Sequence, residues 1–151
     1  MSTENNRTND EALIRTLRDE LTNAIRAKDA EGVVSHFASE TVMFVLAPPL
    51  QFKGGESPGQ SGVEEWFSTF QGSIGYEIRD LHITAGETVA FCHSLNRISG
   101  TRSDNGAAMD IWVRETLGFR KISGAWKITH QHQSVPFYMD GSNRAATDLK
   151  P

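Results

Sequence analysis

Two histidines stand near the end of a strand-like run whose first side chains are apolar. After Gly124, alternate positions hold two apolar residues, two imidazoles and a hydroxyl: Trp126, Ile128, His130, His132 and Ser134. Because strand side chains alternate with a period of two, these residues share one face. The Trp and Ile make that face the inward one. A buried face that becomes polar along its length is typical of a strand that lines a pocket.

The two imidazoles support two interpretations. Neighbouring histidines on a strand can share a metal ion, with Asp110 or His93 as a third ligand. They can also be buried polar residues that hydrogen-bond to the adjacent strands. The second interpretation is favoured, because a metal site would also need partners that orient its ligands. The sequence therefore predicts no metal ion and no other cofactor.

The preceding strand, residues 107–119, has two contrasting faces. One face carries Met109, Ile111, Val113, Leu117 and Phe119, and the other carries Asp110, Trp112, Arg114 and Thr116. Antiparallel sheets usually turn the apolar face inward, which would leave Arg114 in solvent. The polar face predicted on the neighbouring strand favours the opposite arrangement, in which the polar residues line a pocket. The residues leave both arrangements open.

Length and composition restrict the class of protein. A chain of 151 residues fits one domain, and the net charge of −4 comes without a basic stripe, so we expect no nucleic-acid partner. The single cysteine, Cys92, cannot form an internal disulfide and suits a reducing compartment. The first residues lack the apolar core of a signal peptide, and no run approaches the roughly 20 apolar residues of a membrane span. We expect a cytoplasmic protein without a membrane partner.

The order of predicted elements is helix, helix, strand, helix and then four long strands. A capping box at Thr8 and an apolar stripe predict a helix over residues 9–28, and Asp29 can cap a second one. The remaining elements are a strand at 41–46, a helix that carries Trp66, and strands at about 75–84, 86–99, 107–121 and 125–136. The sequence thus predicts a disordered segment 1–8, one domain at 9–137 and a loosely held tail at 138–151.

This order favours an α+β fold in which three helices pack on one face of an antiparallel sheet. If the sheet is strongly curved, the helices close one side of it and the result is a cone with an apolar interior. Such an interior suits a small apolar molecule.

In its order of elements, the sequence resembles the nuclear transport factor 2-like superfamily, the cystatin-like α+β cone. Residues 110–116 (Asp-x-Trp-x-Arg-x-Thr) and 124–136 (Gly-x-Trp-x-Ile-x-His-x-His-x-Ser-x-Pro) resemble SnoaL-like and ketosteroid-isomerase-like proteins. The association domain of calmodulin-dependent kinase has a similar ending. The segment 27–38 fits the helix pair that precedes the first strand in this group. The resemblance covers residues 10–137.

The resemblance implies that the face from Asp110 to Thr116 lines the cone and that the apolar face is left for a homodimer. It does not imply steroid isomerisation. Ketosteroid isomerases use an Asp base on the first strand and a Tyr in the oxyanion hole. Here the first strand, 41–46, has no carboxylate, and the first helix offers Leu17 and Leu21 where the Tyr would lie.

Two functions follow as hypotheses. In the first, the chain is a cofactor-independent isomerase, cyclase or lyase for an apolar substrate with a carbonyl or carboxylate. Asp110 and His132 would transfer the proton beside His130, and Arg114 would hold the anion. The substrate would contact Trp66, Trp112, Asn96, Thr116, Ser134 and Tyr76. The alternative is a module without turnover that binds a ligand or assembles as a homo-oligomer.

Overall fold

The computed structural model describes residues 3–151 and has three helices and five strands. The elements are α1 (Thr3–Arg26), α2 (Ala30–Val34), β1 (Phe37–Phe44), α3 (Gly59–Ser68), β2 (Phe70–Ala85), β3 (Val89–Arg102), β4 (Ala108–Ile122) and β5 (Ala125–Ser134). The predicted order of elements and the α+β class are confirmed. No helix within residues 3–151 combines the length and the apolar character that a membrane span requires.

The five strands form one curled, open sheet in the order β1-β5-β4-β3-β2. The pairs from β2 to β5 are antiparallel, as predicted, but β1 lies parallel to β5 at the edge. The three helices cover the inner face. The core joins the stripe of α1, which includes Ile14 and Leu21, to inward side chains of the sheet such as Val113 and Leu117.

Helix α1 begins earlier than the sequence predicted. It is helical from Thr3, so residues 3–8 of the segment predicted to be disordered are part of the helix, and residues 1 and 2 lie outside the described residues. The hydroxyl of Thr8 donates to the carbonyl of Glu4 at 3.0 Å, so Thr8 is inside the helix and is not its cap. The predicted cap at Asp29 is confirmed, because its carboxylate accepts from the backbone N–H of Gly32 at 3.0 Å.

An aspartate fixes the first half of α1 against the sheet. Asp10 accepts a hydrogen bond from Nε1 of Trp126 at 3.0 Å, and Nζ of Lys121 lies 2.9 Å from the same carboxylate oxygen. The hydrogen bond from Lys121 holds the pKa of Asp10 below its usual value, although burial opposes the shift. These contacts attach the first half of α1 to the β4–β5 hairpin.

A β-bulge interrupts β5. Gly118 pairs with His130, but the next residue of β4, Phe119, pairs with Ile128, so Thr129 is an extra residue on β5. One extra residue reverses the alternation of side chains beyond it. A Cβ atom at Gly118 would lie 3.3 Å from the Cβ of His130, so the glycine leaves room for the imidazole on its face.

The chain after β5 folds back on itself. Phe137 and Ala145 form an isolated bridge, and the N–H of Ala146 donates to the carbonyl of Pro136 at 2.7 Å. The side chain of Ala146 is buried. That the tail is loosely held stays a prediction.

Candidate functional site

A cavity of about 360 Å³ lies between the inner face of the sheet, helices α1 and α3, and the loop that follows β1. This volume is near the lower end of the roughly 300–1,000 Å³ that is common for small-molecule pockets. Most of its wall is apolar and includes Leu21, Ile25, Met43, Val63, Trp66 and Ile98. Strands β2, β4 and β5 turn four polar side chains towards the cavity, and we call these residues the floor: Tyr76, Glu115, Gln131 and Gln133.

Glu115 is the centre of this floor and is only 3% exposed. Its Oε1 accepts hydrogen bonds from Nη2 of Arg18 at 2.8 Å and from Nδ2 of Asn96 at 3.0 Å. Its Oε2 accepts from Nε2 of Gln131 at 3.1 Å and from Nε2 of Gln133 at 2.8 Å. An ionised carboxylate offers about four acceptor positions, and four protein donors occupy them here.

Arg18 is the buried counter-charge of Glu115 and is 1% exposed. Burial alone would lower the pKa of Arg18, but the adjacent Glu115 carboxylate and the Tyr76 phenol raise it above its usual value. Two further guanidinium nitrogens, Nε and Nη1, make no hydrogen bond of good geometry within residues 3–151. Arg18 is not among the residues that line the cavity. Its guanidinium therefore neutralises the carboxylate from the side of the floor that faces away from the cavity.

A tyrosine and an asparagine extend the network. The hydroxyl of Ser94 donates to Oδ1 of Asn96 at 2.7 Å, and Nδ2 of Asn96 donates to Oη of Tyr76 at 2.9 Å. Burial, with the charge of Glu115 adding to it, raises the pKa of Tyr76 to about 12. The phenol is therefore uncharged near neutral pH. This arrangement fixes the polar side of the cavity in one geometry.

Two of the residues predicted to contact a substrate line this cavity, Trp66 at the wall and Tyr76 at the floor. A third, Asn96, is buried behind Tyr76 and Glu115 and donates to both. The burial pattern of β3 turns Ser94 and Asn96 inward and His93 and Arg97 outward. Their role in binding stays a prediction.

The predicted inward placement of His130 and His132 is wrong. The bulge at Thr129 turns Gln131 and Gln133 towards the interior and both imidazoles to the outer face. Nδ1 of His130 donates to the carbonyl of Val42 at 2.8 Å. The two imidazoles are neighbours, as predicted, with ring centroids 6.3 Å apart.

The polar face of β4 also lies outside. Nε and Nη2 of Arg97 donate to the two carboxylate oxygens of Asp110 at 2.8 and 2.7 Å on the exposed surface. The hydrogen bond from Arg97 holds the pKa of Asp110 below its usual value. Nε of Arg114 donates to Oγ of Ser134 at 3.1 Å, also on the exposed side.

Trp112 and Thr116 share that outer face, with the guanidinium of Arg79 6.0 Å from the Trp112 ring. The arrangement with the apolar face inward is therefore the correct one. Burying each large apolar side chain of the opposite face contributes about 1.5–3 kcal/mol, which outweighs placing the polar residues inside. That apolar face forms the core, so it is not available for the homodimer interface that the resemblance implied.

The two alternative metal ligands lie on the outer face as well. His93 pairs with Thr116 across β3 and β4, and Thr116 pairs with His132 across β4 and β5. Within residues 3–151, no group of three His, Cys, Asp or Glu side chains is close enough to hold a metal ion. The described residues thus offer no ligand set for a metal.

Sequence reasoning missed the central charged pair and the two glutamines. Glu115 interrupts the apolar alternation between Val113 and Leu117, and Arg18 lies within the apolar stripe of α1. A charged residue at a core position is rarely buried without a partner, so these two interruptions could have predicted the pair. No comparable signal marks Gln131 and Gln133, because their direction depends on the bulge.

Comparisons with known proteins agree with this architecture. The model of the SnoaL-like domain matches residues 14–138. A search among curated proteins finds no match. A crystal structure of an NTF2-like protein of unknown function from Pseudomonas putida KT2440 is 32% identical, with a TM-score of 0.83 over 95% of this chain and 98% of that chain.

More distant structures share the fold. A protein from Novosphingobium aromaticivorans DSM 12444, proposed to be a scytalone dehydratase, has a TM-score of 0.76 at 16% identity and covers 97% of this chain and 96% of its own. A ketosteroid isomerase-like protein from Erwinia carotovora atroseptica SCRI1043 has a TM-score of 0.65 at 18% identity and covers 83% of this chain and 95% of its own. The domain match spans most of the chain, and the chain therefore belongs to the SnoaL-like family of the nuclear transport factor 2-like superfamily.

Proposed function

We propose that this protein binds one small, mainly apolar molecule in the cavity and holds a polar group of that molecule at the floor. The observation that carries the proposal is the combination of apolar walls with a few fixed polar side chains at one end. Pockets that bind small molecules commonly have this composition, because the walls contribute affinity and the polar groups set the orientation.

The hydrogen bonds of Glu115 favour binding over catalysis. A general base needs a lone pair aimed at the proton that it removes. The four donors from Arg18, Asn96, Gln131 and Gln133 already occupy the carboxylate. We therefore propose the ligand-binding alternative, in which Glu115 orients the floor. The residues first considered catalytic, Asp110, Arg114, His130 and His132, have no place at this cavity.

The comparisons support a role that involves a small molecule in general terms. Proteins of the same fold are named for dehydratase and isomerase activities. This likeness concerns the fold, so the proposal for this chain depends on its own cavity.

The proposal can be tested with 2-methoxynaphthalene, a neutral probe, by following the tryptophan fluorescence of the protein, since Trp66 lies at the cavity wall. We expect saturable quenching in the native protein. Val63→Trp, which places an indole in the cavity, should weaken binding about tenfold or more, a change of about 1.4 kcal/mol. The matched control is Val89→Trp, at an exposed position of β3 away from the cavity, which should leave the affinity unchanged.

Each variant is checked by its thermal unfolding and circular dichroism, so that loss of the fold is not mistaken for loss of binding. Absence of saturable quenching in the native protein would contradict the proposal. Equal affinities of the native protein and a folded Val63→Trp variant would contradict it as well.

A further inference from the structure

We propose that the floor selects a ligand that carries a neutral hydroxyl group. The inference rests on the proposed function, because it assigns the class of molecule that the same cavity takes. It follows from the direction of two amide groups, from the polar atoms that they leave without partners, and from the charges around the cavity.

Glu115 fixes the direction of both amides. An ionised carboxylate only accepts hydrogen bonds, so Gln131 and Gln133 must each turn the NH₂ end of the side chain towards it. The amide oxygens then point away from the carboxylate. Both side chains line the cavity.

The glutamines retain unused hydrogen-bonding capacity. Each Nε2 spends one N–H on Oε2 of Glu115, and within the described part of the chain the oxygens and the second N–H groups have no protein partner. The floor therefore offers acceptors and donors side by side. A hydroxyl group both donates and accepts, so it can satisfy such a floor. An ether or ketone only accepts and would leave the amide oxygens unpaired at a cost of about 1–3 kcal/mol.

The charges around the cavity oppose an anionic ligand. The ionisable residues of its wall are Glu65, Tyr76 and Glu115, and the wall contains no Lys, Arg or His. The positive charge of Arg18 is already paired with Glu115 on the far side of the floor. A carboxylate on the ligand would find no unpaired cation at the cavity, so a neutral ligand is favoured over one with the carboxylate that the sequence allowed.

Three probes share a naphthalene skeleton and differ only in the polar group that would reach the floor. At neutral pH, 2-naphthol is a neutral donor and acceptor, 2-methoxynaphthalene only accepts, and 2-naphthoate is an anion. We expect the dissociation constant of 2-naphthol to be about tenfold or more below that of the ether, as one unpaired buried polar group predicts. The anion should bind most weakly of the three.

Substitution of the glutamines tests the origin of the preference. Gln133→Met should bring the dissociation constants of 2-naphthol and the ether to within about threefold of each other, because a thioether is a weak acceptor with no donor. Gln131→Met tests the second amide and provides a second variant should the first fail to fold. Gln71→Met, at an exposed position of β2, is the matched control and should preserve the native preference.

The outcomes separate the two proposals. Equal affinities of the native protein for naphthol and ether would overturn the hydroxyl selection while the ether still demonstrates a binding cavity. Tightest binding of naphthoate would also overturn it. If the folded Gln131→Met and Gln133→Met variants still prefer 2-naphthol over the ether as the native protein does, the glutamines are not the cause of that preference. Failure of all three probes to bind would overturn both proposals.

Discussion

At the scale of single residues, the buried pair of Arg18 and Glu115 determines the chemistry of the interior. Taking two charges out of water is costly, and further hydrogen bonds to the buried carboxylate offset part of that cost. Asn96, Gln131 and Gln133 supply those bonds to the carboxylate. The pair thus organises the floor and adds no net charge to it.

Removing one member of this pair should be far more damaging than removing both. We expect Arg18→Met to lower the free energy of unfolding by about 3–5 kcal/mol, because it leaves Glu115 buried without a counter-charge. The double variant Arg18→Met/Glu115→Gln should recover a large part of the loss. Urea denaturation of the single and double variants measures the coupling.

The control is Arg15→Met, an exposed arginine of the same helix, which should change stability by about 0.5 kcal/mol or less. A loss in Arg18→Met no greater than that of the control would show that the buried pair is not needed. A double variant as unstable as the sum of its parts would mean that the two charges do not interact.

His36, between α2 and β1, should make stability depend on pH. Burial is the main cause that lowers the pKa of His36, and the charge of Lys127 adds to it against the opposing effect of Glu20. The unfolded chain therefore binds a proton more readily than the folded protein, so stability contributed by neutral His36 is complete above its unfolded pKa. It is lost as the pH falls through the usual value of about 6.5 towards the folded pKa.

The measurement is the free energy of unfolding at about pH 7.5 and about pH 5.5. His36→Gln should lose less stability between these two values than the native protein. His82→Gln, at an exposed histidine of β2, is the control and should follow the native protein. An identical pH dependence in His36→Gln and the native protein would rule out this role.

At the scale of elements, one extra residue in β5 decides which side chains face the cavity. The sequence up to Ile128 alternates as predicted, and Trp126 and Ile128 are buried. Thr129 then shifts the register, so amides replace imidazoles on the inside. Strand alternation is reliable only while the register is unbroken.

Deletion of Thr129 should restore the uninterrupted alternation. His130 and His132 would turn inward, and Glu115 would lose both glutamine donors. We expect a loss of unfolding free energy of about 3 kcal/mol or more, because a buried charge loses its hydrogen bonds. The matched control, Thr129→Val, keeps the length of the strand and removes only a long contact of 3.5 Å to the carbonyl of Gly118.

The control should change stability by about 1 kcal/mol or less. Circular dichroism and urea denaturation measure both variants. A deletion variant as stable as Thr129→Val would show that the inner face of β5 tolerates either set of side chains.

At the scale of the whole molecule, the sequence predicted the order of elements, the cap at Asp29 and the α+β class. These features depend on local composition and periodicity, which a single sequence contains. The sequence did not predict the parallel pairing of β1 with β5, the bulge at Thr129 or the ion pair between Arg18 and Glu115. Those features depend on contacts between residues that are distant along the chain, as the separation of 97 positions between Arg18 and Glu115 illustrates.

The position of the pair could still have been anticipated, since each charge interrupts an apolar pattern. The bulge could not, because nothing in the residue types around Thr129 distinguishes a bulged strand from a regular one. The site residues derived from the alternation of β5 failed for this reason, whereas Trp66 and Tyr76 lie at the cavity.

The homodimer stays a prediction. The apolar face of β4 that was assigned to it belongs to the core, so an interface would have to use another surface, such as the outer face of the sheet. That face carries the ion pair of Arg97 with Asp110 and the cluster of Phe44, His130 and His132.

The central claim is that the interior floor, and not the outer face with its histidines, is the ligand site. The most direct measurement compares the dissociation constant of 2-naphthol for the native protein, Gln133→Met and His132→Ala. The account predicts a rise of about tenfold for Gln133→Met and no change for His132→Ala. An affinity that falls with His132→Ala and is indifferent to a folded Gln133→Met would contradict it.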